Sequence, residues 1–239
     1  MFAVDIITLF PEMFTEVFKS GVIGRALESG KVILRVHNLR EYGIGKHKVV
    51  DDAPFGGGDG MVMMAEPIAR ALEDILGGER DKTRVILTTP QGKPYNQEKA
   101  MELASCGRIA IICGRYAGVD ERVRLYLVDE EISIGDYVLS GGELPAMVIV
   151  DSAVRHVAGV LGNEDSSKND SFPLMLEHAQ YTRPRVWRGH HVPNVLLSGN
   201  HEEIRKWRLK DSEERTAQRR PDLFAKYKAV ISGSGGDEK

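Results

Sequence analysis

The sequence predicts an α/β protein built on a mostly parallel sheet, and three observations predict it. Short β-rich runs alternate with helical patterns along most of the chain. Two of those runs, RVIL (84–87) and RIAII (108–112), are near-continuously apolar, as parallel strands covered on both faces are. Of the 239 residues, 42% are hydrophobic and 28% charged, which is the balance of a folded protein rather than a disordered one.

The elements follow in order. AVDIITLF (3–10) reads as the first strand, and PEMFTEVFKS as a helix opened by Pro11. KVILRVHNL (31–39) is the next strand. EPIARALEDIL (66–76) has apolar residues at 68, 69, 72, 75 and 76, a helical period, with Pro67 in the first turn. RVILTTP (84–90) is a strand, YNQEKAMELAS (95–105) a helix and RIAIIC (108–113) a strand. LYLVDE (125–130) and ISIGDYVLS (132–140) are strand-like, and PAMVIVDSAVRHVAGV (145–160) is a helix that starts at Pro145.

GNEDSSKNDS (162–171) has almost no apolar residue and reads as a flexible linker. Beyond it, HAQYTRPRVWRGHHVP is rich in Pro, Arg and aromatic residues and reads as irregular. SGNHEEIRKWRLKDSEERTAQRR is a long helix, capped by Ser198 or Asn200, with Glu202 and Glu203 in its first turn. Pro221 ends it, DLFAKYKAVI forms a last helix, and GSGGDEK frays. The predicted organisation is a first domain over 1–161, a linker over 162–171 and a small helical domain over 172–239.

Composition narrows the function. Net charge is −3, but residues 172–239 carry 13 Lys and Arg against 9 Asp and Glu, while the rest carries 19 against 26. The second domain is the better suited to phosphate, although a mixed-charge helical face looks similar. No apolar run approaches the ~20 residues of a membrane helix. The N-terminus lacks a basic start and a small-residue cleavage site, so a cytoplasmic protein is expected. Cys106 and Cys113 flank a strand-like run and read as core residues, and no Cys/His cluster has zinc spacing.

In an open α/β sheet, ligands bind beyond the carboxyl ends of the strands. The loops there are TTPQGKP (88–94), GRYAGVDER (114–122) and GDYVLSGGELP (135–145). Each alone is an ordinary tight turn. Together they predict a narrow polar slot in which glycine lets backbone approach a ligand. No dinucleotide or P-loop glycine motif is present. A fourth Gly-rich loop, PFGGGDGM (54–61), reads equally as a lid or an anion nest.

SIGDYVLSGGELPAM, GRYAGVDER, PFGGGDGM, NDSF, YTRP and LLSGNHEEIRKWR, spread over nearly the whole chain, resemble the bacterial tRNA (guanine-N1)-methyltransferases of the SPOUT superfamily. The resemblance implies a deep C-terminal trefoil knot in the sheet, an exception to the rule against threaded chains. It also implies a homodimer with active sites at the subunit interface, tRNA as partner, and guanosine 37, preceded by another guanosine, as target. S-adenosylmethionine would bind bent in the knot. By position, Leu87 and Pro90 come from the first loop, and Gly114 and Tyr116 from the second. The third supplies Ile134, Gly135, Asp136, Tyr137, Val138, Leu139, Gly141, Gly142 and Pro145.

One position departs from the family, which often has Glu where this chain has Ala117. Asp136 is the expected replacement as partner of the methionine ammonium. Guanine N1 is a poor nucleophile until its proton leaves, and the charge then gathers on O6, so the reaction needs a base and a cation. The resemblance assigns Asp170 as base and Arg155 as cation; on sequence alone these read as a linker acid capping a helix and a solvated helix charge. Arg205, Arg208, Lys210, Arg215 and Arg219 are the expected phosphate contacts, with solvated surface as the alternative for each. Mg²⁺ is a family association for which the sequence offers no ligand cage. Two other readings are a SPOUT RNA methyltransferase of different specificity and a non-catalytic RNA-binding module. The C-terminal motifs oppose the first; the intact loops and Asp170 oppose the second.

Overall fold

Five parallel strands form the central sheet of a computed structural model that describes residues 1–161 and 174–233. They are β1 (Phe2–Thr8), β2 (Val32–Asn38), β5 (Arg84–Pro94), β6 (Arg108–Cys113) and β7 (Glu130–Ser133). Their spatial order is β2-β1-β6-β5-β7, so consecutive neighbours are joined by crossovers. A two-residue antiparallel ladder, β3 (Asp51–Asp52) with β4 (Val62–Met63), stands apart from the sheet. The chain divides into two compact units, Met1–Glu164 and Asp165–Lys239. The linker 162–171, with Asp170, lies outside the described residues.

Apolar side chains on alternate positions face opposite sides of the sheet. Phe2, Val4 and Ile6 of β1 join Ile109 and Ile111 of β6 in one core. Ile7 of β1 joins Val85, Leu87, Ala110 and Ile112 in the other. Helices α1 (Thr15–Lys19), α2 (Gly21–Glu28), α4 (Gln97–Ser105) and α6 (Glu143–Val154) supply the first core. Helices α3 (Ala65–Leu76) and α5 (Glu121–Tyr126) supply the second. Ile68, Leu72 and Leu76 of the predicted α3 face are buried, while Ala69 and Ile75 are half-buried and Ala71 is buried with the first three.

Two predicted strands take another form. LYLVDE is the end of α5 followed by a turn, because Asp120 caps that helix and the Glu121–Arg124 pair braces it one turn on. Of ISIGDYVLS, the first two residues end β7, and the rest leave the sheet as loop.

Asp5, at the middle of β1, is fully buried and is met by two guanidinium groups and an imidazole. Arg35 Nε donates to it at 2.7 Å, Arg108 Nε at 3.0 Å, and His37 Nε2 lies 2.9 Å away. Burial alone would push the Asp5 carboxyl up. The hydrogen bonds from His37, Arg35 and Arg108 overcome that and hold it well below the usual carboxylate range.

The second unit contains a short antiparallel pair, β8 (Val186–Trp187) and β9 (His190–His191), and helices α7 (His201–Arg219) and α8 (Pro221–Gly233). Asn200, not Ser198, caps α7: its side chain accepts from the backbone N–H groups of Glu202 at 3.2 Å and Glu203 at 3.3 Å. Asn200→Ala leaves both donors to water and is expected to cost about 1 kcal/mol. A urea melt of the variant checks this; an unshifted midpoint refutes it.

Candidate active site

The carboxyl ends of β5, β6 and β7 meet around one cavity of about 340 Å³. All three predicted loops line it. Leu87, Pro90, Gly114, Tyr116, Ile134, Gly135, Tyr137, Val138, Leu139, Gly141, Gly142 and Pro145 are among the lining residues. Asp136 is not: it is exposed on the third loop and outside the lining. The acid that the lining does include is Glu121, at the start of α5.

Backbone crossings hold the cavity open. In β5, Thr88 and Lys93 both align with Ile132 of β7, so residues 89–92 are extruded from the strand as a rim. Gly92 makes this possible, since a Cβ there would meet Ile132 N at 2.4 Å. On the far side, Gly142 N donates to Gly114 O at 2.8 Å, and Arg115 bridges Gly141 in antiparallel fashion. A Cβ on Gly142 would stand 2.0 Å from Thr88 Oγ1, 2.8 Å from Cys113 Cα and 2.9 Å from Gly114 N. Tyr116 adopts the left-handed conformation, φ 60°, which a bulky residue holds at a cost of about 1–2 kcal/mol.

Behind this wall lies Glu143, 1% exposed. It accepts from Thr8 Oγ1 at 2.8 Å and from Arg115 Nε at 2.9 Å, tying the end of β1 and the second loop to the start of α6. Arg115 also donates to Ser140 O at 3.2 Å. At the α5 wall, Arg124 donates to both oxygens of Glu131, at 2.7 and 3.0 Å, and to Glu121 at 2.8 Å. Two carboxylates around one guanidinium leave this wall with a net negative charge.

Sequence reading missed Thr88, Arg115, Glu121 and Arg124 as lining residues. Arg115 and Glu121 sit inside the quoted second loop, and Glu121–Arg124 is an i,i+3 helical pair, so the signals were local and present. Pairing of Arg115 with Glu143 is tertiary and had none.

The fourth Gly-rich loop stands beside the cavity rather than in it. Ala117 N donates to Met61 O at 2.9 Å and Met63 N to Gly118 O at 3.0 Å, which pins the loop's stem to the second loop. Cys113 is fully buried, and burial pushes its thiol well above the usual range; burial also raises that of Cys106. Neither offers a thiolate nucleophile. Among the described residues no group of three or more His, Cys, Asp or Glu could hold a metal ion, and no helix is long and apolar enough to cross a membrane.

Arg155 is the half-buried C-cap of α6. The helix starts at the cavity wall, so twelve residues of rise put Arg155 about 18 Å away along its axis. On α7, Arg205, Arg208 and Arg219 are exposed and make no ion pair among the described residues. Lys210 instead faces Glu214 at 3.7 Å, and half-buried Arg215 lies 3.8 Å from Asp211. These two are matched by acids on their own helix.

A parallel sheet with a glycine-crossed cavity at its carboxyl edge is the arrangement in which α/β proteins bind small ligands at their strand ends. The sequence profile described as tRNA (Guanine-1)-methyltransferase TrmD matches residues 2–226. Curated relatives named tRNA (guanine-N(1)-)-methyltransferase agree with it. The Moorella thermoacetica protein is 56% identical over 93% of this chain and 90% of its own length. That of Geobacter sulfurreducens is 52% identical over 98% and 94%, and that of Staphylococcus aureus strain JH9 52% over 94% and 91%. The chain belongs to the tRNA (guanine-1)-methyltransferase TrmD family.

Proposed function

We propose that the protein transfers the methyl group of S-adenosylmethionine to N1 of guanosine 37 in tRNA, next to the anticodon. The observation that carries this reading is the convergence of three strand-end loops on one cavity, crossed where no Cβ fits, in a chain of this family. That cavity would hold the donor, with backbone groups and the apolar side chains of Leu87, Ile134 and Leu139 available to its adenine. The net negative α5 wall, with Glu121, suits the positive end of the donor. Passage of the third loop between Thr88 and Gly114 supports a trefoil knot, with α6 as the segment drawn through.

Methyl transfer needs no enzyme nucleophile. When bound, the sulfonium donor would supply an already activated methyl group to N1 and leave as the neutral thioether, and the Asp170 carboxylate takes the N1 proton. Arg155 steadies the charge on O6. The roughly 18 Å between the cavity wall and Arg155 favours sites shared between two copies of the chain. Exposed apolar residues next to the cavity, Val138 at 90%, Leu144 at 50% and Val148 at 45%, suit such a contact. The first unit is thus the methyltransferase domain, the second the tRNA-binding domain, and the site of action the cytoplasm. No residue is assigned to Mg²⁺.

Incubation of a tRNA transcript with donor, digestion and mass spectrometry tests the assignment. 1-Methylguanosine is expected; a ribose-methylated nucleoside rejects it. Asp170→Ala and Arg155→Ala are each expected to lower kcat by about 10²-fold or more with donor binding retained. Wild-type turnover in either variant removes that residue from the mechanism.

A further inference from the structure

We propose that the second unit holds an RNA subsite of its own: a cavity that takes one nucleotide, with its phosphate among Arg183, Arg185 and Arg208 and its base on Tyr181. This rests on the reading of the protein as a tRNA methyltransferase. The cavity measures about 420 Å³, within the ~300–1,000 Å³ range of small-ligand clefts.

Its construction is specific. The irregular segment leading into it is laid along α7 by two hydrogen bonds. Ala179 N donates to Asp211 Oδ2 at 2.6 Å, and Leu176 N to Thr216 Oγ1 at 3.0 Å. Tyr181 then packs its ring 6.3 Å from that of Trp207 and stays half exposed, at 50%. The β8–β9 pair fixes Arg185 through Val192 N, which donates to Arg185 O at 3.0 Å. Leu196, Leu197 and Ile204 line the cavity as apolar walls.

The charge pattern identifies the ligand. The lining contains three arginines and His178, and no Asp or Glu. None of the three guanidiniums makes an ion pair or hydrogen bond among the described residues. Three other cations of α7 are matched, Lys206 to Glu202 at 3.0 Å, Lys210 to Glu214 and Arg215 to Asp211; Arg205 and Arg219 are not, but neither lines the cavity. An unmatched cluster of planar forks over an apolar wall, beside a half-free aromatic face, is what a phosphodiester and a stacked base require.

The test uses the full-length protein, a labelled anticodon stem-loop RNA and KCl between about 50 and 200 mM. In the Arg183→Ala/Arg185→Ala double variant, affinity is expected to fall roughly tenfold or more. The slope of log K against log[KCl] flattens by about 1 to 2. Tyr181→Ala is expected to weaken binding about tenfold with the slope unchanged, the signature of lost stacking rather than lost charge. Calorimetric binding of S-adenosylmethionine stays at the wild-type value in all variants. An unchanged slope in the double variant overturns the site. Displacement of the RNA by free GMP from the wild type, but not from the double variant, assigns the cavity to a mononucleotide and overturns the RNA reading. A wild-type protein that makes no 1-methylguanosine yet shows the arginine-dependent slope refutes the methyltransferase reading and leaves this site standing.

Discussion

Gly142→Ala is expected to collapse the cavity and weaken S-adenosylmethionine binding by about 100-fold or more, roughly 2.7 kcal/mol. The added methyl would stand 2.0 Å from Thr88 Oγ1, and that hydroxyl has little freedom to retreat, since it is held to Ile112 O at 3.1 Å. The next neighbours, Cys113 Cα and Gly114 N, are backbone of β6 and of the loop that follows it. Relief therefore requires the third loop to move away from the second, which breaks the Gly142–Gly114 hydrogen bond and releases the wall. Overpacking of this kind costs about 1–3 kcal/mol of stability on its own. Gly78→Ala is the control, because Gly78 has open space around its Cβ position and ordinary φ. Calorimetry and thermal melts of the two variants decide the matter. Wild-type donor affinity in Gly142→Ala would show that the crossing does not shape the binding site.

Asp5→Asn is expected to destabilise the protein by about 3 kcal/mol at neutral pH, because one carboxylate serves two guanidinium groups and the His37 imidazole at a fully buried position. Arg35, 45% exposed, returns its charge to water in the variant, which limits the loss; Arg108, 16% exposed, does so poorly. The sign with pH follows from the depressed carboxyl. The folded state keeps Asp5 ionised under conditions where the unfolded chain has bound a proton. Its contribution is complete above pH ~4 and declines by about 1.4 kcal/mol per unit as pH falls below that. Asn cannot titrate, so the gap between wild type and variant narrows in acid. Urea unfolding at pH 7 and near pH 3 measures this, and a gap of constant size would exclude Asp5 as its source.

The sheet was legible in the sequence because its inner strands are apolar on both faces. RIAIIC coincides with β6, and the helical period of EPIARALEDIL with α3. The three cavity loops were legible for a related reason: glycine and proline follow strand ends whatever those loops hold. What failed was local ambiguity. LYLVDE has the β-branched and aromatic content of a strand, yet its first two residues belong to a helix whose cap and ion pair lie upstream of it. The short helix α2, opened by Gly21, escaped notice because glycine there reads as a break. Asp136 lies outside the cavity lining, whereas the lining acid Glu121 reaches the cavity from another element. Lys210 and Arg215 were expected as phosphate contacts, with solvated surface beside acid partners as the alternative, and the fold places Glu214 and Asp211 beside them.

The Thr8–Glu143 hydrogen bond joins groups 135 residues apart in the chain. At a synthesis rate of about 5–20 residues per second, the ribosome releases the second partner roughly 7 to 27 seconds after the first. Until then the leading strand can pair with β2 and, once made, with β6, but it lacks α6 over its apolar face. Closure of the first core over β1 therefore waits on translation of α6, and a rare-codon pause placed shortly before residue 143 is expected to prolong the interval in which that apolar face lacks its cover.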